Sequence, residues 1–105
     1  MINAVFTVSD GLICSYEISG HSDFSEQGSD IVCSAVSSAA YMTANTITDV
    51  QQLNAEITVN DGFMKLSLSK QDAKTAEVIL NGFLLHLNAL KEEYKEFIKV
   101  KISEV

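Results

Sequence analysis

Two residues of this sequence have the side chains that nucleophilic catalysis requires, Cys33 and His21. Cys33 comes three positions after Asp30, a good helix N-cap residue, so we expect its sulfur in the first turn of a helix. The N–H groups and the dipole at that end of a helix favour a thiolate and would stabilise an oxyanion. His21 lies in the loop before this helix, and an imidazole that met the sulfur would form an imidazolium–thiolate pair able to attack a carbonyl carbon.

The residue types alone leave a plainer interpretation open, in which Cys33 is a small buried residue of the helix. Metal binding is not expected, because two cysteines nineteen positions apart and two histidines sixty-five apart do not match a zinc spacing. No cofactor is predicted. Cys14 is predicted to be a core thiol on a strand, and His86 to be a structural residue at the edge of a helical apolar stripe. A single pair of cysteines without an export signal is expected to stay reduced.

The elements that must position these residues follow from hydrophobic periodicity, which predicts the order β-β-α-β-β-α-β. Two hairpins are expected, one around Asp10-Gly11 and one around Asp61-Gly62. The predicted strands span 2–8, 12–19, 55–59, 63–69 and 97–103, and the predicted helices span 30–45 and 71–94. The fold class is therefore α+β: a mostly antiparallel sheet with two helices packed on one face.

The predicted helices differ in the faces that they offer. The first is rich in small residues, and the residues expected to face the sheet are Ile31, Val32, Ala35, Ala39 and Met42. The second carries one apolar stripe, made of Ala76, Leu80, Phe83, Leu84, Leu87 and Leu90. A second set lies roughly opposite it, made of Val78, Gly82, Leu85 and Ala89. We interpret this second set as a contact with another subunit, which predicts a homodimer, although scattered surface apolar residues are common.

The length of the chain indicates how many domains it has, and its charge indicates which classes of ligand it attracts. The 105 residues fit one domain, 1–105, and the net charge is −7. Residues 1–64 hold eight acidic residues and no lysine or arginine, and all seven lysines follow, from Lys65 onward. Nucleic acid is an unfavourable ligand for such a surface, whereas a basic polypeptide would be attracted to it. The chain shows no signal peptide and no membrane-length apolar run, so a cytoplasmic location is expected.

The loop between the second strand and the first helix is long for a simple connection, and Gly20 and Gly28 bound it. Loops of this kind often carry function. The two glycines would give it the conformational freedom to close, and Phe24 is either a contact to a bound substrate or an aromatic anchored on the domain itself.

The spacing Gly20-His21-x6-Gly28-x-Asp30-Ile31-Val32-Cys33-x-Ala35-Val36-Ser37 resembles the signature of the ribosomal-processing cysteine protease family called Prp. The family pattern is Gly-His, a glycine-bounded loop, and Asp-Ile-Val-Cys-Ala-Ala-Val-Ser. The match runs over residues 20–37 with unbroken spacing, and the element order extends it more loosely to the whole chain. Ser22 and Ser34 stand where the family commonly has alanine, and neither replaces a catalytic atom.

The resemblance implies a cysteine endopeptidase, a cytosolic homodimer that removes the N-terminal extension of a large-subunit bacterial ribosomal protein, the twenty-seventh of that series. The substrate of the family is apolar and aromatic before the cut, has alanine after it, and continues into a lysine-rich stretch. By position, Cys33 is the nucleophile and His21 is the general base. Asp30 either caps the helix or orients His21, and Ser37, four residues after Cys33, either contacts substrate or packs the helix.

Two other functions remain open at this point. A non-enzymatic adaptor would use the acidic half of the chain to hold a basic ribosomal segment, with salt-sensitive binding and no cleaved product. A redox sensor would oxidise Cys33, with Cys14 as the resolving thiol.

Overall fold

The computed structural model describes residues 1–20 and 29–105, and the side chains of Ser29 and Asp30 lie outside that description. The strands are β1 (Ile2–Ser9), β2 (Leu12–Ser19), β3 (Glu56–Asn60), β4 (Phe63–Ser67) and β5 (Ile98–Glu104). The helices are α1 (Ser29–Asn45), α2 (Lys70–Thr75) and α3 (Glu77–Glu93), and a π-helical turn, Thr46–Val50, continues α1. The predicted α+β class and element order are confirmed, and no described helix is long and apolar enough to cross a membrane.

The strands form one sheet in the order β3-β4-β2-β1-β5. The pairs β1–β2, β2–β4 and β3–β4 are antiparallel, and β5 joins the edge beside β1 in parallel. The Asp10-Gly11 turn has positive φ at both residues, 50° and 79°, which is the backbone that a tight two-residue hairpin needs. Both predicted hairpins are therefore present. Strand β5 is not part of a hairpin and joins the sheet by pairing with β1, which is distant in the sequence.

One face of the sheet carries the core, and the other is mostly polar. Buried strand residues alternate along β1 and β4, and along β2 from Tyr16 onward, as a half-buried sheet requires. The predicted stripe of the second helix packs on them: Ala76, Leu80, Phe83 and Leu87 are buried, and Leu84 and Leu90 pack at the margin. Among the described side chains, the core cluster consists of Ile2, Ala4, Phe6, Ile13, Tyr16, Ile18, Val32, Val36, Ala40, Ala44, Ile47, Met64, Leu66, Ala76, Leu80, Phe83, Leu87 and Ile98.

The prediction that Cys14 is a core residue was wrong, because β2 contains a bulge. Thr7 pairs with Ser15 and Val8 pairs with Ile13, so Cys14 is the extra residue of β2 at this step. The bulge reverses the alternation, so that Ile13 is buried in place of Cys14, which is only half-buried. Lys70 lies near this thiol and forms an ion pair with Asp10, which lowers the pKa of that carboxyl group.

The helices differ from the prediction in two respects. In α1, Val32, Val36, Ala40 and Ala44 are buried, whereas the predicted Ile31 and Met42 are exposed and Ala35 and Ala39 are only half-buried. The helix is thus rotated relative to the predicted face. The second predicted helix is split into α2 and α3 at Ala76, whose φ of −89° and ψ of 7° interrupt it without any glycine or proline.

The buried ring of Tyr16 joins the sheet to both long helices. Its hydroxyl donates a 2.9 Å hydrogen bond to the carbonyl oxygen of Ala40 in α1. Its ring meets that of Phe83 in α3 edge-on, with the centroids 4.8 Å apart. Burial raises the pKa of Tyr16 above its ordinary value of 10, so the folded chain holds this proton after the unfolded chain has released it.

We therefore expect the free energy of unfolding to fall as the pH rises above 10, by up to about 1.4 kcal/mol per pH unit for this group. Tyr16→Phe should remove that part of the pH dependence, at a cost of about 1 kcal/mol near neutral pH for the lost hydrogen bond. Urea unfolding at neutral and alkaline pH measures the free energy of unfolding, which gives its dependence on pH and the loss of stability at neutral pH. Tyr41→Phe is the matched control, since Tyr41 is exposed, and an unchanged slope in Tyr16→Phe would contradict the assignment.

Candidate functional site

A cleft of about 260 Å³ separates the N-terminal half of α1 from the turn between β3 and β4. Its floor is apolar and comes from the sheet and the buried side of α1. The lining residues are Ile2, Ile18, Gly20, Cys33, Val36, Ser37, Ala40, Tyr41, Asn60, Asp61, Gly62, Phe63 and Met64. An apolar floor with a few polar groups on its rim is the usual form of a ligand site.

One wall of the cleft is a single face of α1. Cys33, Ser37 and Tyr41 follow one another at intervals of four residues, so they lie one above the other on the helix. Cys33 is half-buried, packs against the core and is not joined to Cys14 by a disulfide. It is the fifth residue of α1, and helical side chains tilt toward the N-terminus, so its sulfur lies over the first turn. The N–H groups of that turn have no partner within the helix.

The opposite wall comes from the turn between β3 and β4, and Gly20 is tied to it. The N–H of Gly20 donates a 3.0 Å hydrogen bond to the carbonyl oxygen of Gly62. Gly20 has a φ of +85°, and a Cβ on it would overlap the carbonyl oxygen of Met1. Only glycine fits this position without a shift of the backbone. The end of β2 is thereby fixed at the cleft.

Replacing Gly20 with alanine should therefore destabilise the protein by about 2 kcal/mol or more, because positive φ costs about 1–2 kcal/mol and the overlap adds to it. Gly11→Ala is the matched control: its φ is +79°, but nothing lies within 4 Å of an added Cβ. Thermal unfolding of the two variants separates the overlap from the φ strain. Equal losses of stability would show that Met1 moves aside freely.

The predicted site residues divide into those that the cleft brings together and those outside the described part of the chain. Gly20, Cys33 and Ser37 line the cleft. His21, Phe24 and Gly28 lie outside the described residues, as does the side chain of Asp30. The helix begins at Ser29, so Asp30 is its second residue and the prediction that Asp30 is the N-cap was wrong. The described cleft thus holds the sulfur and the chain segment that leads directly to His21.

Sequence reasoning missed the aromatic and turn residues of the cleft. Tyr41 lies at i+8 from Cys33 and could have been found by extending the helical face that predicted Ser37. Asn60, Asp61 and Phe63 carry no such signal, because only the pairing of β4 with β2 brings their turn to α1. Asp61 is exposed and adds an acidic group to the rim.

Other features of the described residues lie away from this cleft. No group of three or more His, Cys, Asp or Glu side chains in 1–20 and 31–105 is placed to hold a metal ion. His86 is exposed and lines a separate groove of about 590 Å³ between α1 and α3, beside Ile79 and Met42. On the same side, Val78 and Leu85 are 86% and 74% exposed, which makes α3 apolar on its outer face as the sequence predicted.

Comparison with known proteins gives a consistent result over nearly the whole chain. Residues 1–99 match the family model described as cysteine protease Prp. The ribosomal processing cysteine protease Prp of Staphylococcus aureus is 30% identical over 103 residues, which cover 95% of this chain and 97% of that protein.

Two crystal structures of the Staphylococcus aureus protease have the same fold. One contains a substrate peptide, with a TM-score of 0.89 and 28% identity, and the other a covalently linked product peptide, with a TM-score of 0.86 and 29% identity. Each alignment covers 98% of this chain and all of the other. The similarity therefore extends through every element that builds the cleft.

Proposed function

This chain belongs to the cysteine protease Prp family and is a cysteine endopeptidase, and on that premise we propose that it removes the N-terminal extension of the twenty-seventh large-subunit ribosomal protein with a Cys33–His21 dyad. The observation that carries the proposal is the position of Cys33, half-buried in a cleft at the N-terminal part of α1. Gly20, which is covalently bonded to His21, lines the same cleft. The relatives named for ribosomal processing supply the substrate class.

The proposed reaction proceeds in two halves. His21 takes the proton of Cys33, and the sulfur attacks the carbonyl carbon of the scissile peptide bond. The oxyanion of the tetrahedral intermediate is stabilised by N–H groups of the first turn of α1. The C–N bond then breaks, His21 returns its proton to the leaving amine, and the acyl group remains on sulfur as a thioester.

Water completes the cycle. His21 takes a proton from the attacking water, a second tetrahedral intermediate forms, and its collapse breaks the C–S bond and releases the new carboxyl terminus. The regenerated sulfur recovers the proton. The covalently linked product peptide of the Staphylococcus aureus structure supports a covalent route of this kind. Within this scheme Ser37 and Tyr41 are placed to contact the peptide, because they continue the Cys33 face of α1.

The direct test is incubation with the full-length ribosomal protein of the same organism, followed by mass spectrometry of its N-terminus. We expect a shortened protein with wild-type enzyme and an intact one with Cys33→Ala. Binding of the basic substrate without any cleavage would instead favour an acidic adaptor. The family membership and the cleft both favour the protease, which we place in the cytoplasm, where ribosomal proteins are made.

We also assign the apolar outer face of α3 to a homodimer. Val78 and Leu85 are among the most exposed large apolar side chains of the described residues. Gly82 lies between them with open space around it, which allows a second helix to approach closely. Such a face is unfavourable in water unless another surface covers it.

Leu85→Glu should therefore convert the protein to a monomer in sedimentation equilibrium, because a buried charge without a partner is strongly unfavourable at an interface. Gln71→Glu is the control, since Gln71 is an exposed polar residue of α2 and is not part of the outer face of α3. A wild-type protein that is already monomeric at micromolar concentration would contradict the assignment.

A further inference from the structure

Strand β3 is an open edge of the sheet beside the cleft. Within residues 1–20 and 29–105 it pairs only with β4, and all five of its residues are exposed. Neither α1 nor any other described element covers it. An uncovered edge strand presents backbone groups that can pair with another extended chain.

The register shows which backbone groups of β3 are available. Asn60 pairs with Phe63 across the two-residue turn, and in a hairpin of this length the backbone groups of the closing pair point toward each other. Hydrogen-bonded and non-hydrogen-bonded pairs alternate along an antiparallel ladder. The N–H and C=O groups of Thr58 therefore also point toward β4, whereas those of Ile57 and Val59 point away from it, toward the open edge.

The side chains of these two residues add an apolar surface to the same edge. Ile57 pairs with Leu66 and Val59 pairs with Met64, so they share the core face of the sheet. Leu66 and Met64 are buried, but Ile57 and Val59 are 41% and 49% exposed. We call this pair of side chains the β3 shelf.

The β3 shelf is continuous with the cleft that holds Cys33. Asn60, the last residue of β3, lines the cleft, and Met64 lies both in the cleft and opposite Val59. An extended polypeptide that reached Cys33 would thus have an open strand and an apolar surface directly beside its path. Extended peptides commonly bind in this way, with main-chain hydrogen bonds for affinity and alternate side chains for specificity.

We infer that the substrate segment beside the scissile bond adds to the sheet as a sixth strand, pairing with the outward groups of Ile57 and Val59 and placing apolar side chains on the β3 shelf. The inference rests on the proposed function. Charge favours this occupant over a second copy of the edge, because the charged residues at the ends of β3, Glu56 and Asp61, are both acidic. They would attract a basic polypeptide, as the proposed ribosomal substrate is, and they repel an identical strand.

Hydrogen exchange on Cys33→Ala with a bound synthetic peptide tests the pairing directly. The peptide spans the cleavage site of the organism's own ribosomal protein. Exchange of the Ile57 and Val59 N–H groups should slow at least about tenfold on binding, while that of Thr58 changes little because it is already bonded to β4. Saturating peptide without protection at Ile57 and Val59 would overturn the inference. Protection that appears with protein concentration alone would assign the edge to a second copy.

Kinetics of Ile57→Ser test the shelf. For the same peptide we expect KM to rise about tenfold, from lost apolar contact, with kcat within about twofold of wild type. Thr58→Ser, on the opposite face of β3, is the matched control. The rate of Cys33 alkylation by iodoacetamide should be unchanged, which shows an intact cleft.

The outcomes distinguish a failure of the proposed function from a failure of strand addition at β3. A wild-type protein that does not cleave the peptide contradicts the proposed function. A wild-type protein that cleaves it, with Ile57→Ser and Thr58→Ser both showing wild-type KM, contradicts only the sixth strand. A raised KM without hydrogen-exchange protection also overturns strand addition, because the shelf would then act without backbone pairing.

Discussion

Replacing Cys33 with alanine is expected to reduce cleavage of the ribosomal protein by a factor on the order of 10⁴ or more, to the background rate. In the proposed mechanism the substitution removes the sulfur that forms the thioester, and loss of a nucleophile costs nearly all of the covalent catalysis. The fold should survive, because alanine is small and a good helix former and Cys33 is only half-buried in α1. Mass spectrometry of the substrate gives the extent of cleavage, and circular dichroism gives the fold.

Cys14→Ala is the control for this experiment. Cys14 lies on the β2 bulge and does not line the cleft, so we expect cleavage within about twofold of wild type. The same two variants test whether the protein is a redox sensor. A sensor that forms a Cys14–Cys33 disulfide would lose its response to mild oxidation in either variant. Undiminished turnover by Cys33→Ala would contradict the mechanism.

His21→Gln is expected to lower kcat by about 10²–10⁴-fold, the usual contribution of a general base. Glutamine keeps a polar side chain of similar reach but can neither take the proton of Cys33 nor return one to the leaving amine. The residual rate of the variant should rise with pH, because only solvent hydroxide then generates the thiolate. Cleavage rates measured from mildly acidic to alkaline pH give the profile.

His86→Gln is the matched control, because His86 is exposed in the groove between α1 and α3 and does not line the cleft. Its kcat should equal that of the wild type. If both histidine variants retained full activity, Cys33 would be working with another base and the dyad would be incorrect.

The cleft shows what the sequence could predict and what it could not. Helical spacing linked Ser37 to Cys33, and the same spacing extends to Tyr41. These residues share one helix, so their relation is local. The turn at Asp61 reaches the cleft through two successive strand pairings, β3 with β4 and β4 with β2. Such non-local register is not encoded in the spacing of any one segment.

The strands and helices show the same difference between what local sequence predicts and what tertiary packing decides. The predicted bounds of β2, 12–19, agree with Leu12–Ser19 because the turns on either side are marked by glycine. The face that β2 buries was predicted incorrectly at Cys14, since a bulge adds one residue without any glycine to signal it. In α1 many small residues give a weak periodic signal, so the sheet, through Val32 and Val36, decides which face is buried.

The position of β1 couples the floor of the cleft to β5, a strand that is distant in the sequence. Ile2 lines the cleft, and its N–H donates a 2.8 Å hydrogen bond to the carbonyl oxygen of Phe97, just before Ile2 pairs with Ile98. Contacts between such distant segments form slowly, because the loop between them must first close. The pairing of β5 with β1 holds Ile2 in the floor of the cleft, and loss of this long-range pairing is expected to loosen the floor at that residue.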